Sequence, residues 1–421
     1  MNGLDIALLY LLAAVLGVVV CRSLKLPPML GYLVVGVVIG PNALALAQNS
    51  AGVRYLAEFG VVFLMFVIGL EFSLPKLRAM RQHVFGLGTA QVVLTVALTT
   101  VGSLVLTWLL PDWWRMEWQT ALAFGGVMAM SSTAIVIKMV ADRLELETEH
   151  GKRVVGILLF QDLAVVPLLV LIPALGSPPD AMALALGLAL LKAAVLLLLL
   201  LTAGQRFMRW WLALVAKRKS EELFMLNILL ITLGLAWMTE HAGLSLALGA
   251  FVAGMLISET EYKHQVETDI RPFHDVLLGL FFITIGMMLD WRLVLERWPL
   301  VLLLLGLSLT FKLGMISLLV RVFGSTAGTS LRVGLYLAQA GEFGFVLLTL
   351  ANQNNLVPPE LFNPVLASMV VSMLLAPLVI IYANRIVMRV VASDWLMQSV
   401  QMTHIVSKSM GAQGHVIICG Y

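Results

Sequence analysis

The sequence predicts an all-α polytopic membrane protein of about thirteen transmembrane helices, arranged as inverted repeats with two crossed broken helices. Three observations predict it. The 421 residues are 60% hydrophobic and only 12% charged, against about 25% charged in soluble globular chains, so a water-soluble fold is excluded. Apolar runs long enough to cross a bilayer recur from one end to the other. A long stretch of the chain also repeats itself.

The expected spans run near 4–21, 28–40, 54–71, 84–110, 118–139, 154–175, 181–204, 222–240, 243–258, 273–289, 299–321, 330–350 and 362–391. Lys and Arg in alternate loops set the orientation, because cytoplasmic loops carry the excess. One side holds 21 of the 27 basic residues and the other only Arg54, Arg115, Arg292 and Arg297, with Lys192 and Lys312 inside spans. The N-terminus is therefore expected outside and the C-terminus in the cytoplasm. The first apolar stretch begins at Leu4, next to acidic Asp5 and without a basic preceding region, so it is expected to stay as a span. A net charge of +3 gives no reason to expect nucleic acid as a partner. Cys21 and Cys419 suggest neither a disulfide framework nor a metal cluster.

Residues from about 28 to 170 recur between about 246 and 380. LGYLVVGVVI at 30–39 matches LGAFVAGMLI at 248–257, FVIGL at 66–70 matches ITIGM at 283–287, and Pro167-Leu168 matches Pro377-Leu378. The offsets of 218, 217 and 210 are nearly constant. The copies lie seven spans apart, an odd number, so the second is inverted in the membrane. Inverted repeats characterise secondary transporters, whose substrate site lies at the midplane between the halves.

Four ionisable residues fall within spans: Asp162, Lys192, Lys312 and Glu342. Each costs about 2.5–3.5 kcal/mol at the centre of a membrane helix, so each is expected to be paired, hydrated or functional. Asp162 stands in FQDLAVVP, and its positional counterpart in the second repeat is Ser372. A carboxyl group out of water favours its proton and an arriving cation favours the ionised form, so one group can hold either in turn. A static salt bridge between Asp162 and Lys312 is the other reading. Gln161 can orient or coordinate but cannot carry charge, which predicts electroneutral exchange.

GGVMAMSSTAIVIK at 125–138 and LAQAGEFGFV at 337–346 interrupt two spans with small and polar residues at corresponding places. Unwound backbone at membrane depth requires a cavity or a protein environment. Crossed half-helices would aim their end charges at the midplane, and Ser131, Ser132 and Thr133 add hydroxyl oxygens suited to a hard monovalent cation. Close helix packing is the alternative reading of the small residues. Lys312 and Glu342 would neutralise the half-helix ends or each other, with a structural ion pair the favoured reading of Glu342. Lys192 is read as snorkelling or as facing a cavity. Trp210 and Trp211, among Arg206, Arg209 and Lys217 to Lys219, predict anchoring to lipid at the inner interface. The histidines show no ligand spacing, and no enzyme motif is present, so neither a metal site nor catalysis is expected.

GYLVVGVVIGP, FLMFVIGLEF, MSSTAIVIK, LLFQDLAVVPL, LGAFVAGMLISETEY, GLFFITIGMMLD and QAGEFGFVL together resemble the membrane domain of Kef-type potassium efflux antiporters, of the monovalent cation:proton antiporter-2 family. The resemblance implies a sodium/proton antiporter-like fold. A six-helix core would move against a dimer-forming scaffold in an elevator-like motion, within a homodimer of a bacterial inner membrane. It implies that Asp162 binds both ion and proton, with Gln161 in place of the first carboxylate of the Asp-Asp pair found in electrogenic relatives, a form that points to potassium. The inner loop SETEYKHQVETDIRPF, with Glu267 and Asp269 at matching acidic positions, would contact a regulatory domain.

The expected organisation is a transmembrane antiporter domain at 1–392, a cytoplasmic linker at 393–412, and at 413–421 the start of a nucleotide-binding regulatory domain, HVIICGY resembling its first strand. The sequence stops before a GxGxxG fingerprint could be completed. No cofactor is therefore expected for this polypeptide, nucleotide being expected only in the remainder of that domain, where glutathione control would also reside. Potassium/proton exchange is the primary functional expectation. A gated potassium channel, a sodium-coupled organic-anion symporter and a non-transporting sensor are the competing readings.

Overall fold

The computed structural model describes residues 3–24, 26–45, 51–71, 78–109, 116–176 and 204–391, with isolated positions between 184 and 202. All regular elements among the described residues are helices. They are α1 (Gly3–Ser23), α2 (Pro28–Ile39), α3 (Ala51–Glu71), α4 (Gln82–Leu109), α5 (Trp118–Ala129), α6 (Thr133–Asp142), α7 (Glu149–Leu175) and α8 (Gln205–Ala216). There follow α9 (Glu221–His241), α10 (Leu246–Ser258), α11 (Lys263–Met288), α12 (Trp291–Glu296), α13 (Trp298–Val322), α14 (Ala327–Leu337), α15 (Glu342–Gln353) and α16 (Pro359–Val390). Helix starts follow from local chemistry: the hydroxyls of Ser132, Thr148, Ser220, Ser245 and Thr326 each accept a hydrogen bond from a first-turn amide.

The expected spans coincide with these helices or with helix pairs, except the seventh, near 181–204, most of which lies outside the described residues. Among the described residues five single helices, α4, α7, α9, α13 and α16, and the α5–α6 pair taken as one are long and apolar enough to cross a bilayer, which makes seven if the pair α14 and α15, bent by 49°, is also one span. Five shorter apolar helical stretches accompany them, α2 and α10 among these. The expected linker and regulatory segments at 393–412 and 413–421 lie outside the described residues.

The helices sort into two groups. A scaffold holds α1, α2, α3, α9, α10 and α11, with α8 against α10. A core holds α4, α5, α6, α7, α13, α14, α15 and α16, and only sparse contacts, such as α10 on α7 and α2 on α16, join the two.

The inverted repeat is visible in the scaffold's closest crossings. A Cβ placed on Gly36 would stand 2.0 Å from Ile283 O, and one on Gly254 would stand 2.0 Å from Phe66 O. Reciprocally, a Cβ on Gly286 would meet Leu33 O at 2.3 Å and one on Gly69 would meet Phe251 O at 2.1 Å. The two crossings, α2 on α11 and α10 on α3, thus use equivalent residues of the two repeats. Backbone packs on backbone at both. Gly36→Ala and Gly254→Ala are therefore each expected to destabilise the fold by about 1–3 kcal/mol, the range for overpacked cores. The thermal midpoint of purified protein measures this, with Gly314→Ala, which has open space around its Cβ, expected to behave as wild type.

One expected loop is helical. The stretch holding Glu267 and Asp269 belongs to α11 from Lys263 onward. Lys263 and His264 reach Glu267 at 3.9 and 3.2 Å across one turn, pairs that support a helix. Asp269 is half-buried with Oδ2 unpartnered among the described residues; burial and the nearby Glu221 charge push its carboxyl up. Lys192 donates to Ala242 O at the end of α9, so its ammonium caps a helix C-terminus. The aromatic side chains of α8 divide as an interfacial helix would. Phe207 and Trp210 are exposed, while the Trp211 indole nitrogen donates to Asn227 Oδ1.

Candidate functional site

Both interrupted spans are broken in the structure, and the breaks touch. The first lies between α5 and α6, where Met130 and Ser132 adopt extended backbone. The second lies between α14 and α15, ending at extended Gly341. A Cβ on Gly341 would lie 2.5 Å from the Ser131 carbonyl, so the breaks cross at a point where only glycine fits.

Each half-helix presents unpaired backbone groups at its broken end, carbonyls at a C-terminus and amides at an N-terminus. Lys312, from the middle of α13 and only 2% exposed, answers the carbonyls. Its Nζ donates to Met130 O at 2.8 Å, to Gln339 O at 2.8 Å and to Ser131 Oγ at 3.0 Å. The ends of α5 and α14 are thereby bound by one ammonium. Ser131 Oγ donates in turn to Leu337 O at 2.8 Å. Glu342, 3% exposed at the start of α15, answers the amides. Its Oε1 accepts from Ala134 N in the first turn of α6 at 3.2 Å, while Oε2 has no partner among the described residues. Cation at the carbonyl ends and anion at the amide ends is the arrangement helix dipoles favour.

The favoured ion pair is thus corrected: among the described residues Lys312 forms a salt bridge with neither Glu342 nor Asp162. The backbone ends of the crossed half-helices out-compete a carboxylate for the ammonium, because leaving several carbonyls unpaired at this depth would be costly.

Gln161 and Asp162 are adjacent on α7 but face different surroundings. Gln161 is fully buried; its Oε1 accepts from Ser131 N at 2.8 Å and its Nε2 donates to Gln91 Oε1 at 2.8 Å. Gln91, also fully buried, donates to Thr95 Oγ1 and to Ala129 O. Gln161 therefore braces the first break. In the second repeat Ser372 does the same, its Oγ accepting from Ala340 N at 3.1 Å. By position Ser372 matches Asp162, but by hydrogen-bond role it matches Gln161.

Asp162 is only partly buried. Its Oδ1 accepts from Thr133 Oγ1 at 3.0 Å, the first residue of α6. Of the three expected hydroxyl ligands, Thr133 alone bonds this carboxylate, Ser131 being held between Lys312 and Leu337 and Ser132 capping α6 by accepting from Ile135 N. Glu342 and Glu71, the last residue of α3, lie close enough for their charges to act on Asp162. Glu71 belongs to the scaffold, so the charge of a scaffold residue reaches this core carboxylate. Asp162 thus sits near the seam between core and scaffold, chemically able to hold a proton or a small cation. Gln91 and Glu71 escaped the sequence reading. A glutamine within a long apolar span was a usable signal, whereas Glu71 sits at a span end where a carboxylate is ordinary.

At the end of the crossing that carries the α6–α7 loop, Glu145 gathers three donors: Tyr336 at 2.7 Å, Arg143 at 3.1 Å and His150 at 3.2 Å. Burial acts to raise this carboxyl, but bonds from Tyr336, His150 and Arg143 outweigh it and hold it below its ordinary 4.5. Its stabilising effect is therefore complete above pH 4.5 and is lost as pH falls through the lower folded value. Glu145→Gln is expected to cost about 1–3 kcal/mol at pH 7. The difference from wild type should shrink in thermal melts as pH is lowered below 4.5.

Residues 9–382 match the transmembrane sodium/hydrogen exchanger family. The chain is 40% identical to chloroplastic K(+) efflux antiporter 2 of Arabidopsis thaliana over 402 residues, covering 94% of this chain and 33% of that protein. It is 38% identical to the putative K(+) efflux antiporter KefB of Alkalimonas amylolytica, covering 100% of this chain and 63% of that one. The chain therefore spans a third of the first relative's length and less than two thirds of the second's. Among solved structures it resembles the sodium proton antiporter MjNhaP1 from Methanocaldococcus jannaschii at pH 8, with a TM-score of 0.59 and 16% identity over 90% of this chain and 96% of that one. That likeness speaks to the fold.

Proposed function

This chain belongs to the transmembrane sodium/hydrogen exchanger family, and we propose that it exchanges a monovalent cation, potassium above all, for protons. Its Kef-type motifs and its relatives named as K(+) efflux antiporters agree with that reading. The observation that carries it is the partly buried Asp162 beside the crossed half-helices, bonded by Thr133 and next to a glutamine that cannot ionise. One such group releases one proton for each monovalent cation it takes up, which makes the cycle electroneutral. Gln161 and Ser131 support the site by holding the first break, and Ser132 orders the start of α6.

The sparse contact between core and scaffold favours alternating access in which the core shifts as a body, with Asp162 and Thr133 carried between the two faces. The scaffold would supply the contact of a homodimer. We place the protein in a bacterial inner membrane with its N-terminus outside, potassium leaving the cytoplasm as protons enter. Residues 1–392 would form the transporting domain, 393–412 a linker, and 413–421 the start of a nucleotide-binding regulatory domain, toward which Glu267 and Asp269 on α11 would point.

The test is proton flux in liposomes holding purified protein and an internal pH dye, with potassium, sodium or lithium pulses at clamped and unclamped voltage. A pH change driven most strongly by potassium and insensitive to voltage is the expected result. Potassium current without obligatory proton movement would overturn it in favour of a channel.

A further inference from the structure

A cavity of about 410 Å³ lies on the side of the helix crossing that faces Lys312, between α4 and α13 and backed by α5 and α16. Its walls are mainly apolar. Lys312 offers it only a methylene stem, because the ammonium is taken by three acceptors at the crossing. The hydroxyls of Ser308 and Ser368 donate to carbonyls of their own helices, Leu305 O and Val365 O, and so present little polarity to the space. Thr99 Oγ1 has no partner among the described residues, and Ser103, one turn further along α4, is the remaining lining hydroxyl on that wall. A cavity so lined has little to hold water, which needs two or more polar partners.

Its mouth opens onto the protein's lipid-facing surface. α4 and α13 are the least buried of the long apolar helices, and Leu98, Val105 and Leu307, which line the cavity, are each about half exposed. On α4, Gly102 lines the cavity with nothing within 4 Å of a Cβ placed on it. Buried Phe124 and Met130 line the back.

We propose that this cavity binds one acyl chain of a bilayer phospholipid, which enters between α4 and α13 and ends against the crossed half-helices. Three features select that occupant. The space is apolar, it is continuous with the surface that the bilayer already covers, and its volume falls in the range of small-molecule sites. A chain seated there touches Met130, Ala338 and Ala340, residues of the two breaks, and so supports the crossing.

The test is photolabelling in vesicles that contain a phospholipid with a diazirine at the end of one acyl chain, followed by peptide mass spectrometry. Adducts are expected on Phe124 and Met130 as well as on outward-facing Val93 and Leu302. Gly102→Phe, which fills the cavity, should cut the Phe124 and Met130 adducts at least tenfold while sparing those on Val93 and Leu302. Gly314→Phe, on an exposed face of α13 away from the lining, should change neither set. Ser308→Phe fills the same space from α13 and serves if Gly102→Phe does not fold. Adducts confined to Val93 and Leu302, or Phe124 adducts that survive both filling variants, would overturn the site. Labelling of Phe124 by a free diazirine fatty acid but not by the phospholipid would overturn the assignment to phospholipid.

Discussion

Asp162→Asn is expected to remove cation-driven proton movement to below about one hundredth of the wild-type rate while leaving the protein folded. Asparagine has the shape of aspartate, and its amide oxygen can still accept from Thr133 Oγ1, so the local packing is kept. What it loses is the capacity to alternate between a neutral, proton-bearing form and an anion that attracts a cation. Neither neighbour replaces that capacity in place: Gln161 cannot ionise, and Glu342 is committed through Oε1 to the first turn of α6. The liposome assay measures the loss, and an unchanged thermal midpoint separates it from misfolding. Exchange at more than a tenth of the wild-type rate would move the assignment to Glu71 or Glu342.

Lys312→Met should have the largest effect on stability, a loss of about 2–6 kcal/mol, at about 1–3 kcal/mol for each of the two buried carbonyls that lose this donor. Methionine fills much of the same volume, so the loss reads the ammonium rather than a void. Without it, Met130 O and Gln339 O, the ends of two half-helices, are left without this donor at membrane depth. The crossing itself then has no cation to bind it. The expected readout is a steep fall in the thermal midpoint of detergent-solubilised protein, with Lys312→Arg recovering part of it. A midpoint within a degree or two of wild type would show that the carbonyls find other donors and that the crossing holds without the ammonium.

Much of this architecture was legible because membrane depth makes sequence restrictive. Spans, the inverted repeat, the two breaks and the exceptional position of Asp162 all follow from which residues a bilayer tolerates. The partners of those residues did not follow. Lys312 and Met130 are 182 positions apart, and only the folded crossing sets an ammonium against two carbonyl ends in preference to a carboxylate. Gln161 and Asp162 look like joint ligands in a string of letters, but the helical turn between them sends one into a buried brace with Gln91 and leaves the other partly open. The α11 extension was hidden for a different reason. Its first turns are polar enough to read as loop, and their helical order becomes plain only once Glu267 is seen bridging Lys263 and His264.

The paired glycine crossings bear on the energetics of the proposed cycle. Because α2 on α11 and α10 on α3 are equivalent contacts of the two repeats, the scaffold of the proposed cycle would offer the core a similar surface toward either face of the membrane. In the proposed cycle the two end states would then be close in energy, and side chains that break the symmetry, such as Asp162 opposite Ser372, would tip the balance. With 1.4 kcal/mol equal to a tenfold change in population, one hydrogen bond gained or lost at such a position is enough to reset the face on which the protein rests.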